Sequence, residues 1–224
     1  MGTLVLTLAC AYLIGGIPNS YLIVRVFKGI DLRTIGSGNL GATNASRAFP
    51  RPMSSAVFLG CFCLDAAKGF LPACFLAPLL EGGPTGGFDP ATRVLVIGLA
   101  AILGHVYTPY MRFKGGKGVA TTLGVFLAAA PAAMLFALGV GGALILATGY
   151  ASVGSIAMGL VLPAAVIVRQ PQAHLLCALT VAVGAFIIFK HRSNIGRLIR
   201  GNESRLFGKA SEERAAARSG DQER

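Results

Sequence analysis

The run from Gly104 to Thr121, GHVYTPYMRFKGGKGVAT, sets three cationic side chains, Arg112, Lys114 and Lys117, among Gly115, Gly116 and Gly118. Glycine lets a backbone turn tightly and bring its N–H groups close to a ligand. Lys114 and Lys117 add full charge beside those dipoles, and a helix starting near Val119 would add its positive N-terminal end. Together these features predict a cradle for an anion, most naturally phosphate. A basic loop that merely rests on anionic lipid needs the charge but has no use for close backbone approach. The glycines therefore favour the cradle.

Two further stretches carry similar chemistry. Ile35 to Phe49 reads IGSGNLGATNASRAF and gathers Ser37, Gly38, Asn39, Asn44 and Arg47. Small side chains let donors converge there, and Arg47 can grip phosphate oxygens with two N–H groups at once. His191 to Leu206 reads HRSNIGRLIRGNESRL. On a helix, His191, Asn194 and Ile195 share a face, Gly201 ends the helix, and Glu203 places a carboxylate among Arg197, Arg200 and Arg205. A basic helix lying on lipid would account for the arginines but not for His191, Asn194 and Glu203. Asp65 and Lys68, spaced i,i+3 in an apolar stretch, can pair on one helix face. Ionisable groups at membrane depth are functional candidates, but mutual neutralisation makes structural support the better reading of this pair.

Several familiar sites are missing. FKGGKG lacks the Ser or Thr after the lysine, and the first glycine spacing, of a nucleotide P-loop. There is no H-x4-D pair, no GxSxG elbow, and too few acids for the carboxylate sets that hold Mg²⁺. The five cysteines all fall in apolar stretches without metal-ligand spacing and read as buried free thiols. Neither a metal nor a cofactor is expected.

The elements that must position these residues are membrane helices. Hydrophobic residues make up 54% and charged residues 13% of the chain, against roughly 25% charged in soluble domains. The net charge of +11 would suggest nucleic acid in a soluble protein; here basic cytoplasmic loops account for it, and no nucleic-acid partner is expected. Leu4 to Val24 should span and bend near Pro18, Met53 to Leu80 should cross with Pro72 and Pro78 kinking or ending it, and Val94 to Tyr110 should cross back. Val119 to Val168 carries no charge at all. One helix of that length would reach about 75 Å, more than twice a hydrocarbon core. It must break, near Pro131 and at Thr148 to Ser152, and Ala173 to Phe189 is the last span.

All but three of the 20 Lys and Arg (Lys68, Arg93 and Arg169) fall in the three polar regions. The positive-inside rule then puts those regions in the cytoplasm, with the N-terminus outside. An even number of crossings must separate Lys117 from Lys190. Four suit the amount of apolar chain, so about seven transmembrane helices are expected in an all-α integral membrane protein with a cytoplasmic C-terminus. The same count brings Ser152 to the cytoplasmic side. Residues 1–208 form one polytopic domain, and 209–224 read as a polar, disordered tail.

The runs GSGNLGATN with Arg47, GHVYTPYMRFKGGKGVAT and HRSNIGRLIRGNES, in this order, closely resemble the bacterial acyl-phosphate:glycerol-3-phosphate acyltransferase family across Leu4 to Leu206. The resemblance implies an inner-membrane enzyme with seven transmembrane helices, working at the first step of phospholipid synthesis. It would acylate the 1-hydroxyl of glycerol 3-phosphate, giving lysophosphatidic acid and phosphate. It implies acyl phosphate as donor, and leaves room for the acyl-phosphate-producing enzyme as a partner. Where many relatives carry a second serine this chain has Ala151, leaving Ser152 as the candidate hydroxyl. An acyl phosphate is a mixed anhydride with a good leaving group, so the site must mainly hold two anions together and align a hydroxyl with a carbonyl. Arg47, Lys114 and Lys117 would supply counter-charge, while Ser37, Asn39 and Asn44 with Gly38 would orient the acyl phosphate. Gly115 to Gly118 would hold glycerol phosphate. His191 and Asn194 would position the hydroxyl or a phosphate oxygen, and Glu203 would brace arginines. His191 and the substrate phosphate are both candidate proton acceptors. A membrane transporter for a small organophosphate is the competing class, but transporters place such sites between repeats, and no internal repeat is evident.

Overall fold

Backbone N–H and C=O groups in lipid must be satisfied within the chain, and long apolar runs do this as helices. The computed structural model describes residues 1–81, 83 and 86–206, and the expected tail at 209–224 lies outside them. The described residues form ten α-helices and three 3-10 turns, with no strand among them. The first apolar run is α1 (Gly2–Gly16) and α2 (Asn19–Lys28), broken at Ile17 and Pro18. Pro18 has no N–H to give, so the chain bends there as expected. The carbonyl of Gly16 is taken by Thr108 Oγ1 at 2.6 Å and that of Ile17 by Lys68 Nζ at 2.7 Å.

After the short α3 (Ala42–Ser46), α4 (Met53–Leu76) passes through Pro72 unbroken and ends in a 3-10 turn, Ala77–Leu80, that contains Pro78. Next is α5 (Pro90–Val106). It starts four residues before the expected Val94, because Asp89 caps it by accepting from Thr92 N–H at 3.0 Å and Pro90 is pre-set for a first helical position. The long uncharged stretch divides into α6 (Val119–Ala129), α7 (Pro131–Thr148) and α8 (Ala151–Arg169). The breaks fall at Pro131, at Gly149 with φ 76, and after Arg169. Last come α9 (His174–Lys190) and α10 (Arg192–Ile199).

Five of these segments are long and apolar enough to cross a membrane: 2–28, 53–80, 90–111, 131–148 and 151–169. A sixth is reached if α9 and α10, which meet at a 52° bend, count as one. The eleven residues of α6 would span only about 16 Å, and the structure shelters them: Ala120 to Phe126 are all buried, with α4, α5 and α7 packed around them. Gly124 makes this approach possible, since a Cβ there would overlap the Ala66 carbonyl of α4. The main core runs from Leu95 and Ile102 through Phe126 and Met134 to Leu162 and Leu176. The cysteines are free thiols, but only Cys61 is buried, and Cys63 is exposed on the outer surface of α4. The expectation of five buried thiols is corrected there: an apolar helix face in a membrane has lipid as an alternative to core.

The polar ends gather at one end of the bundle. Tyr12 Oη donates to the Tyr107 carbonyl at 2.5 Å, tying α1 to the end of α5. Leu206 N–H donates to the Gly149 carbonyl at 2.7 Å, tying the C-terminal segment to the end of α7. Thus α5, α7 and α9 run towards the end from which α6, α8 and α10 depart.

Candidate functional site

Glu203 is the hub of this polar end. Its Oε1 accepts from Ser152 Oγ at 2.9 Å and Asn194 Nδ2 at 2.6 Å, and its Oε2 accepts from Arg197 Nε at 2.6 Å. Asn194 turns its other side-chain atom, Oδ1, to the ammonium of Lys117. One carboxylate therefore organises α8, α10 and the glycine-lysine loop. Arg47, exposed at the end of α3, lies within electrostatic reach of Glu203 and Arg197. Lys117 feels Glu203, Arg197 and Arg47 together. Burial pushes the Lys117 amine down, Glu203 pulls it back, and Arg197, Arg47 and Lys190 lower it further, to about 8. Four cations, Lys117 included, thus surround a single anion, an imbalance that favours a further negative charge. His191, buried at the junction of α9 and α10, holds Nδ1 at 2.8 Å from the Ile187 carbonyl. A carbonyl only accepts, so Nδ1 carries the proton and Nε2 of the neutral ring keeps its lone pair.

The glycine-lysine loop reaches this site by a strained route. Arg112 and Phe113 have φ of 54° and 60°, a region that non-glycine residues adopt at a cost of about 1–3 kcal/mol. Gly118, at φ 86°, lets the chain enter α6. The amides of Gly115 and Gly116 donate to the carbonyls of Val106 and His105, each at 3.1 Å. The close approach these glycines permit is thus made to the end of α5, and their N–H groups are engaged within the protein. Lys114 is exposed, and its ammonium makes no hydrogen bond or ion pair among the described residues.

In the first polar loop, Asn44 works inward. Its Oδ1 accepts from Ser37 N–H at 3.0 Å, and its Nδ2 donates to the carbonyls of Ile35 at 3.0 Å and Leu32 at 3.2 Å. The Asn44 amide therefore shapes the loop and leaves Ser37 exposed and Gly38 and Asn39 half-buried beside it. Gly38 adopts φ 69° and donates its N–H to Ile35 at 2.8 Å.

Asp65 and Lys68 pair at 2.8 Å, both buried. Asp65 also accepts from Asn19 Nδ2 at 3.2 Å. Two groups in the polar interior carry no distinguishing signal in the sequence. Arg197 is one of three arginines around Glu203 with nothing to prefer it, and His105 is the second residue of the very run that supplies Lys117.

Fold and site together define a multi-pass membrane protein with a cation-rich polar site at one end of its helical bundle. A family model described as glycerol-3-phosphate acyltransferase matches residues 5–201, and the chain belongs to that family. It is 43% identical over 208 residues to the glycerol-3-phosphate acyltransferase of Geobacter sulfurreducens, covering 92% of this chain and 98% of the relative. The enzyme of the same name from Chlorobaculum parvum is 37% identical, with 94% and 100% covered. Among solved structures, the glycerol 3-phosphate form of PlsY (YgiH), an integral membrane glycerol 3-phosphate acyltransferase, superposes with a TM-score of 0.78 at 36% identity, covering 92% of this chain and 96% of that one. Its lysophosphatidic acid form gives 0.76 at 34%, with 93% and 97% covered.

Proposed function

We propose that this protein transfers a fatty acyl group from acyl phosphate to the 1-hydroxyl of glycerol 3-phosphate, at the cytoplasmic face of a bacterial inner membrane. The hydroxyl oxygen attacks the acyl carbonyl carbon, the bond from that carbon to the phosphate oxygen breaks, and lysophosphatidic acid and inorganic phosphate result. The hydroxyl proton passes to His191 Nε2 or to a phosphate oxygen of the substrate. The observation that carries this reading is the hydrogen-bonded convergence of Lys117, Asn194, Ser152 and Arg197 about Glu203, with Arg47 in electrostatic reach, in a chain whose solved relatives are in glycerol phosphate and lysophosphatidic acid forms.

Holding two anionic substrates together is the main task, because the donor already carries a good leaving group. Arg47 and Lys117 offset the phosphate charges, with exposed Lys114 as an outer attractor. Ser37, Gly38 and Asn39 face the donor, on a loop whose shape Asn44 fixes. Gly115, Gly116 and Gly118 hold Lys117 in place for glycerol phosphate, and Ser152 and Asn194 offer polar groups to a phosphate or hydroxyl. Asp65, Lys68 and Glu203 support the arrangement. Residues 1–208 serve as one polytopic domain with seven crossings, α6 being the short one, and the acyl-phosphate-producing enzyme is a candidate partner.

The test is a transfer assay with purified protein in lipid or detergent, with chelator present. Acyl phosphate should support one lysophosphatidic acid per inorganic phosphate released, and acyl-CoA should serve poorly. Equal activity with acyl-CoA would overturn the donor. Glycerol phosphate uptake into proteoliposomes without product would overturn the reaction and favour a transporter.

A further inference from the structure

Under the glycine-lysine loop lies a second polar cluster that the proposed chemistry does not use. Asp65 and Lys68 of α4 pair there at 2% and 6% exposure. They hold the bend between α1 and α2, through Lys68 Nζ on the Ile17 carbonyl and Asn19 Nδ2 on Asp65. That accounts for the pair as a cap on irregular backbone, which membrane depth tolerates only when protein groups satisfy it. It leaves His105 unexplained. This side chain, in the last turn of α5, is 6% exposed and points Nδ1 at Asp65 Oδ1 from 3.9 Å.

The opposite edge of the ring meets Gly116. A Cβ on Gly116 would overlap His105 Nε2 and lie 2.8 Å from Cε1 and 3.1 Å from Cδ2. The His105 carbonyl meanwhile accepts the Gly116 N–H at 3.1 Å. Main chain and ring of one residue thus grip the same glycine, and the next residue is Lys117, whose ammonium meets Asn194.

We propose that His105, backed by Asp65 and Lys68, is a positioning residue: its ring is the floor that sets the height of Gly116 and hence the reach of Lys117 into the site. The inference rests on the reading of Lys117 as a phosphate-binding cation. It also changes the meaning of Gly116, whose missing side chain makes room for an imidazole of the protein itself.

A double-mutant cycle in steady-state kinetics tests this. Gly116→Ala should raise the KM for glycerol 3-phosphate about tenfold, and His105→Ala should also raise it, with kcat falling less than KM rises in both. The double variant should bind glycerol 3-phosphate no worse than His105→Ala alone, because the new methyl enters space the ring has left. Penalties that multiply would overturn the inference and place the restriction at Gly116 on the ligand side. So would lowered thermal midpoints with unchanged KM. If His105→Ala does not fold, His105→Asn removes Nε2 and Cε1 while keeping a polar group, and gives the same comparison. A wild-type enzyme without saturable dependence on glycerol 3-phosphate would instead bring down the proposed function, so the two failures are distinguishable.

Discussion

Lys117 and Asn194, 77 positions apart in the sequence, are joined by a hydrogen bond from Nζ to Oδ1, and Asn194 passes the connection to Glu203 through Nδ2 at 2.6 Å. Each side-chain atom of Asn194 is fixed by the charge of its partner, the oxygen by a cation and the nitrogen by an anion. On the proposed reaction, a substrate phosphate entering here would meet donors whose orientation is already set, which would limit reorganisation. Lys117→Ala and Arg47→Ala should therefore each lower kcat/KM by tenfold or more, since hydrogen bonds to charged groups are worth about 1.5–3 kcal/mol. Circular dichroism and thermal melting should show the fold intact. Wild-type rates in both variants would refute the phosphate-binding role.

Lys117 also predicts a pH dependence. Its amine sits near 8 in the free protein, chiefly through burial, and a bound phosphate dianion favours the charged form and raises it. Binding then takes up a proton above pH 8, so the KM for glycerol 3-phosphate should climb by up to about tenfold per pH unit from there. Lys117→Arg keeps its charge throughout this range and should flatten the profile. A wild-type KM constant from pH 7 to 9.5 would contradict the assignment.

Glu203 should contribute to stability with the opposite sign of pH dependence. Burial alone would raise its carboxyl, but hydrogen bonds from Asn194, Arg197 and Ser152 outweigh burial and hold it below its ordinary 4.5. A carboxyl lowered in the folded state adds stability that is complete above the unfolded value and is lost as pH falls through the folded one. The melting temperature of the wild type should thus exceed that of Glu203→Gln at neutral pH, and the gap should narrow below pH 4.5. A gap independent of pH would mean that the charge of Glu203 is immaterial.

The sequence discloses what local chemistry decides. Pro131, Gly149 with its positive φ and the polar residues after Arg169 divide the uncharged stretch where a reader would divide it. Gly201 ends α10 in a left-handed conformation, with Asn202 N–H returning to the Arg197 carbonyl at 2.9 Å. Asn19, a polar residue directly after the Pro18 bend, meets Asp65. What stays hidden is the direction in which a polar group spends its bonds. Asn44 and the amides of Gly115 and Gly116 look like ligand donors in a linear sequence, but they bond to carbonyls of their own protein. Nor does an 11-residue apolar run reveal that it will be wrapped by α4, α5 and α7.

Topology gives the last prediction. Apart from Lys68, Arg93 and Arg169, every Lys and Arg falls in the three polar regions, and the described parts of those regions converge on one end of the bundle. The positive-inside rule predicts that this end is cytoplasmic. Single cysteines at Ser37, Lys114 and Asn202, all exposed positions, should then resist a membrane-impermeant thiol reagent in intact cells and react once the membrane is opened. Cysteines at Gly87 and Gln172, exposed at the opposite end, should react from outside. The five native cysteines must first be replaced, because Cys63 is itself exposed. Labelling at Ser37 from outside together with protection at Gly87 would invert the protein. Labelling of Lys114 from one side and Asn202 from the other would be more damaging: it would separate Lys117 from Asn194 and dissolve the site on which the proposed reaction depends.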